Sequence, residues 1–123
     1  MKPNEVRIDN CVMGYLDKKP VKVDWLVIKH LWDGNIQSLY DPKPVYEPIP
    51  LTPEILEKCG FEDDDSDFLK NINERTCIHI NISLGRTVLE SYDGIIIIPM
   101  CEYLHQLQNL FHALTGEELN YQP

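Results

Sequence analysis

At 123 residues, with 43% hydrophobic content, nine prolines and six glycines, the chain has the size and composition of one α+β domain that buries its own core without disulfides or metal. A formal net charge of −9 weighs against nucleic-acid binding, which draws its affinity from cations that displace phosphate counterions. No stretch approaches the roughly 18 apolar residues of a membrane span, and MKPNEVRIDN lacks an apolar signal-peptide core, so the expectation is a cytoplasmic protein.

Cys11, Cys59, Cys77 and Cys101 lie 48, 18 and 24 positions apart with no C-x-x-C pair, the spacing of free thiols in a reducing compartment. The charge is uneven. Residues 1–30 carry six bases and four acids, leaving five bases and sixteen acids for the remainder. Only Lys18, Lys19 and Lys22 offer a small basic spot, so a nucleic-acid module on the N-terminal β unit is a disfavoured alternative.

In chain order, Val21, Val23, Trp25 and Val27 alternate with Lys22, Asp24 and Leu26, the period of two that predicts a strand. Asp33, Gly34 and Asn35 supply a turn capable of positive φ, and IQSLY is the expected return strand of an N-terminal β-hairpin or small barrel-like unit. Prolines 42, 44, 48, 50 and 53 then predict an extended connector with little ladder pairing. Thr52 as N-cap, Pro53 at the first helical position, Glu54 at the positive end of the dipole and Gly60 in the left-handed region mark both ends of a short helix. Leu51 and Leu56 stand at hydrophobic-staple positions and Phe61 seals the far end.

EDDDSDF reads as an acidic surface loop. Its carboxylate spacing imitates a calcium loop, but Phe68 stands where the sharp bend needs glycine, and a strand pattern follows Glu74 where the motif needs a helix. CIHINISL alternates Ile78, Ile80, Ile82 and Leu84 inward with Cys77, His79, Asn81 and Ser83 outward. After RTVLESY and a turn at Asp93 and Gly94, four isoleucines from Ile95 to Ile98 suggest a strand covered on both faces at the centre of the sheet. Met100, Tyr103, Leu104, Leu107, Phe111 and Leu114, widened by Leu110, form the apolar stripe of a last helix that Gly116 closes.

The architecture expected is therefore α+β: a β-rich N-terminal unit over 1–50, then a capped helix, an antiparallel meander and a C-terminal helix packed on the sheet over 51–123, all one domain. The polar face of the last helix carries His105, Gln106, Gln108, Asn109 and His112 without one charge between Cys101 and Thr115, which suits either a neutral solvated face or a face that docks another element or another protein. His105, Gln108, Asn109 and His112 are accordingly the candidate partner-binding residues, for an unidentified protein or for self-association. Cys101 and His105 have i, i+4 spacing, with Cys101 in the first helical turn, so a thiol–imidazole or metal site there is the alternative. No third ligand or oxyanion loop accompanies them, and nucleotide, hydrolase and zincin motifs are absent. Neither a cofactor nor a metal is expected, and neither is catalysis.

KPNEVRIDNCV, PIPLTPEILEKCGFE and HQLQNLFHALTGEEL, in that order over residues 2–119, resemble a family of small uncharacterised proteins encoded in gut anaerobes, their prophages and other mobile elements. The last block is the most specific, with Gln106, Leu107, Gln108, Asn109, Ala113, Leu114, Thr115 and Gly116 in register. The family pattern has glycine where Asp9 stands. The resemblance implies a cytoplasmic accessory protein and carries over no activity or site.

Overall fold

A computed structural model describes residues 1–41, 43–65, 67–99 and 101–121; Pro42 of the expected connector and Met100 of the expected helix stripe lie outside the described residues. The fold is α+β, with two antiparallel sheets and a C-terminal helix on the larger one. The small sheet has the order β2-β1-β3, formed by β1 (Cys11–Gly14), β2 (Pro20–Lys22) and β3 (Tyr46–Glu47). Alternation along β1 links two cores: Cys11 and Met13 face the larger cluster, while Val12 faces a smaller one of Val6, Val23, Val27 and Leu31. Asp9 takes φ +76° just before β1, a left-handed bend that glycine more commonly supplies.

The N-terminal unit does contain an antiparallel hairpin, but it is β1–β2 and not the one expected over residues 21–40. The second strand stops at Lys22, and residues Trp25–Trp32 form helix α1 instead. Asp24 is its N-cap, accepting a hydrogen bond from the Val27 amide at 3.0 Å. Val23, Val27 and Leu31 recur at four and all three are buried, so the valines that satisfy a period of two also satisfy a helical one. Trp25 thereby turns outward, as does Trp32 two helical turns on. Gly34 and Asn35 do adopt positive φ, but they end α1 rather than join strands. IQSLY forms no strand beyond a single bridge between Ile36 and Pro44, and Leu39 and Tyr40 are exposed.

The proline segment is extended and sparsely paired, with the two-residue β3 and single bridges from Pro44 to Ile36 and from Pro50 to Tyr103. Helix α2 (Pro53–Lys58) has both of its expected ends. Thr52 Oγ1 accepts from the Ile55 amide at 3.2 Å, Gly60 has φ +86°, and the Phe61 amide returns to the Leu56 carbonyl at 3.0 Å. Leu51, Leu56 and Phe61 are buried together in the main core. Thr52→Ala is expected to lower stability by about 1 kcal/mol, read as a lower urea midpoint with unchanged slope.

The large sheet is a plain meander in the order β4-β5-β6-β7-β8: β4 (Glu62–Asp64), β5 (Asp67–Asn71), β6 (Thr76–Asn81), β7 (Arg86–Ser91) and β8 (Gly94–Ile98). The acidic segment is thus an edge hairpin rather than a loop, turning at Asp65 with φ +48°. On β6, Ile78 and Ile80 point into the core as expected, but the strand ends at Asn81, and Leu84 lies exposed in the turn to β7.

Strand β8 is the reverse of the expectation. It is an edge strand, and Ile95, Ile96 and Ile97 are 65%, 60% and 68% exposed. A tight turn at Tyr92 and Asp93 pairs it with β7 on one side, and among the described residues no strand pairs with the other. Helix α3 (Leu104–Thr115) supplies Leu104, Leu107 and Phe111 to the core that holds Phe68 of β5 and Ile78 and Ile80 of β6, leaving β8 bare. Gln106 Oε1 accepts from the Glu102 and Tyr103 amides at the start of α3, and Gly116 closes it with φ +74°. Leu114, assigned to the stripe by spacing, is partly exposed.

Candidate functional site

The uncharged face of α3 is a seam within the chain. His105 is 1% exposed and Gln108 3% exposed. Gln108 Oε1 accepts from the Cys11 amide at 2.8 Å, fixing α3 against β1. Asn109 accepts from Arg7 Nε at 3.2 Å and donates to the Glu5 carbonyl at 3.1 Å, while Arg7 also grips the Glu118 carboxylate through both terminal nitrogens. The element that docks on this face is therefore the chain's own N-terminal segment, which corrects the picture of His105 and Gln108 as an open partner surface. Gln108 and Asn109 carry the hydrogen bonds to that segment; His105 and His112 make none to it, and His112 is only half-buried. Neither ring nitrogen of His105 has a partner, nor does Nδ2 of the fully buried Asn10, and burial holds the His105 pKa below its ordinary value.

The structure does not unite Cys101 with His105. No hydrogen bond joins them, and burial pushes the Cys101 thiol up to about 11 despite a bond to Thr87. The Cys59 thiol is pushed up to about 12, and burial raises Cys11 and Cys77 as well, so none of the four is an activated nucleophile. Among the described residues no three acidic, histidine or cysteine side chains are placed to share a metal ion. At the small basic spot Lys18 reaches Glu47 at 2.7 Å, and Lys22 lies 4.0 Å from Asp9. A cavity of about 420 Å³ between β1 and the C-terminal tail is lined in part by Asp9, Lys22, Gln108 and Glu118; Gln108 Oε1 is taken by the Cys11 amide and the Glu118 carboxylate by Arg7.

The second constellation is on the outer face of the large sheet. His79 on β6 lies between carboxylates from both neighbouring strands, with Nε2 2.9 Å from Asp67 on β5 and Nδ1 2.9 Å from Glu90 on β7. Asn81 adds a bond to Asp67 at 2.6 Å. Burial alone lowers the His79 pKa, but the bonds and charges of Glu90 and Asp67 outweigh it and raise the pKa; the His79 bond in turn lowers that of Asp67. A carboxylate on each nitrogen favours the doubly protonated ring, which donates to both and in that form is a charged cross-link over three strands.

Because His79 takes up its proton more readily when folded, its contribution is fully present below about pH 6.5 and is lost as pH rises through the raised folded pKa. Urea midpoints of His79→Gln are expected to fall further below wild type at pH 6 than at pH 9. Equal deficits at both pH values would remove the charge from this account.

Alternation of the signals along β6, β7 and β8 marks the outward residues, but their juxtaposition depends on strand register. Leu69, His79, Val88 and Ile97 align in one row, with Asp67, Asn81 and Arg86 in the next. Apart from Leu69, these residues line a shallow groove of about 280 Å³ whose apolar lining is Val88, Ile95, Ile97 and Leu84. The groove opens onto the unpaired edge of β8. A separate exposed apolar face, Trp25, Leu26 and Trp32, lies on α1. No family model, curated protein or solved structure matches the chain. Among the described residues no helix is long and apolar enough to cross a membrane.

Proposed function

We propose that this chain is a non-catalytic accessory protein that acts by binding another protein, with the outer face and open edge of the large sheet as its contact surface. The observation that carries the reading is β8: an uncharged strand with an unpaired edge and three exposed isoleucines, in a chain with a net charge of −9. Proteins ordinarily protect such an edge with charge, proline or a covering element, because its free amides and carbonyls template further pairing. The raised thiol of Cys101 and the unpaired ring of His105 give the catalytic alternative no support. Paired lysines and the acidic surface do the same for nucleic-acid binding.

The resemblance to proteins of prophages and mobile elements fits a cytoplasmic accessory role of this kind. Affinity capture from the native host, with mass spectrometry of what co-elutes, tests the reading. Wild type is expected to recover a partner that Ile95→Lys and Ile97→Lys lose, while His112→Lys retains it. Recovery that is indifferent to β8, or no recovery at all together with a monomeric wild type, would overturn it.

A further inference from the structure

Building on that reading, we infer that the occupant of the β8 edge is β8 of a second copy of this chain, paired antiparallel about a two-fold axis at Ile96. Ser91 and Gly94 close a two-residue turn, so they form a hydrogen-bonded pair; the alternation of an antiparallel ladder then directs the amides and carbonyls of Gly94, Ile96 and Ile98 to β7. Those of Ile95 and Ile97 point outward at the free edge. When two β8 strands meet with Ile96 opposite Ile96, Ile95 of each copy faces Ile97 of the other, and every outward backbone group between them finds its partner. The same register places Ile95 and Ile97 of both copies on the outer face and the two Ile96 side chains together on the inner one. The edge is self-complementary, as an isologous interface requires.

Charge selects the same occupant. Gly94–Ile98 contains no charged side chain, so two copies of a chain at −9 can approach there without opposing like charges. The opposite edge of the sheet, β4, is Glu62, Asp63 and Asp64, all exposed. Pairing β8 with β4 would strip water from those carboxylates beside isoleucine, so head-to-tail growth is blocked and assembly closes at two. A five-residue edge covers less than the roughly 800 Å² per partner of a standard interface, which sets the expected dissociation constant in the micromolar rather than the nanomolar range.

Sedimentation equilibrium of the intact chain over a dilution series spanning micromolar to millimolar concentrations tests this directly. Wild type should pass from monomer to dimer, and Ile97→Lys should weaken association by more than about tenfold with an unchanged circular dichroism spectrum. Register is tested separately. Ile96→Cys should give a disulfide-linked dimer on mild oxidation, beyond any background from the four native cysteines, because directly opposed non-hydrogen-bonded residues are about 4.5 Å apart at Cα. Ile95→Cys should not, since its two copies are offset by two residues along the strand, beyond the roughly 7 Å reach of a disulfide. A wild type that stays monomeric, a dimer indifferent to Ile97→Lys, or equal cross-linking at both positions would overturn the inference. A monomer that still captures a host protein through Ile95 and Ile97 refutes self-pairing while leaving the interaction reading in place.

Discussion

Gln108→Glu and His105→Lys are expected to destabilise the protein by about 3 to 5 kcal/mol each, the range for an uncompensated charge in an interior. Both side chains are buried in the seam between α3 and the N-terminal segment. A carboxylate at position 108 could still accept from the Cys11 amide, but its second oxygen would be a charge at a site 3% exposed, where Asp9 and Glu118 line the same cavity and oppose it. A lysine at 105 would replace a ring that burial already keeps neutral. His112→Lys should stay within about 0.5 kcal/mol, because this half-buried residue has no hydrogen bond to the N-terminal segment. Urea unfolding followed by circular dichroism measures all three. If the variants at 105 and 108 unfold at the wild-type midpoint, the face is solvated and the seam does not hold.

Ile78→Ala is expected to lose about 2 to 5 kcal/mol, and Ile96→Ala well under about 1 kcal/mol in dilute monomer, although both are isoleucines in the middle of strands of one sheet. Ile78 has no exposed surface and packs with Leu104, Leu107 and Phe111, so its truncation leaves a cavity that close-packed neighbours cannot fill. Ile96 is 60% exposed and leaves nothing behind but solvent. Thermal or urea unfolding of the two variants at low concentration reads the difference. Comparable losses would place Ile96 in a covered strand and remove the basis for an open edge.

Local chemistry was legible wherever one short stretch carried several agreeing signals. Thr52, Pro53, Gly60 and Phe61 name both ends of α2, and each acts through the backbone atoms of its immediate neighbours, so no distant contact can override it. The same holds for Gly116 at the end of α3 and for the inward Ile78 and Ile80 of β6. The α+β class followed from these elements together.

Where two periods shared the same residues, tertiary contacts decided. Val23 and Val27 fit a strand and a helix alike; Asp24 as a cap and Leu31 one turn further on tip the balance, because the helix buries all three apolar side chains in one cluster. The run Ile95–Ile98 showed that the segment was apolar, but not that it would be the last strand of a meander, since strand order depends on what the chain does elsewhere. The polar face of α3 likewise announced a docking surface without naming what docks. Gln108 meets Cys11 and Asn109 meets Arg7 across about a hundred positions of sequence, a separation at which no local pattern carries information. Caps, turns and the inward faces of the clearest elements are short-range properties and could be read along the chain. The closing of the helix face on the chain itself and the open edge of β8 came only with packing, because burial and edge position belong to the folded whole and not to any segment of it.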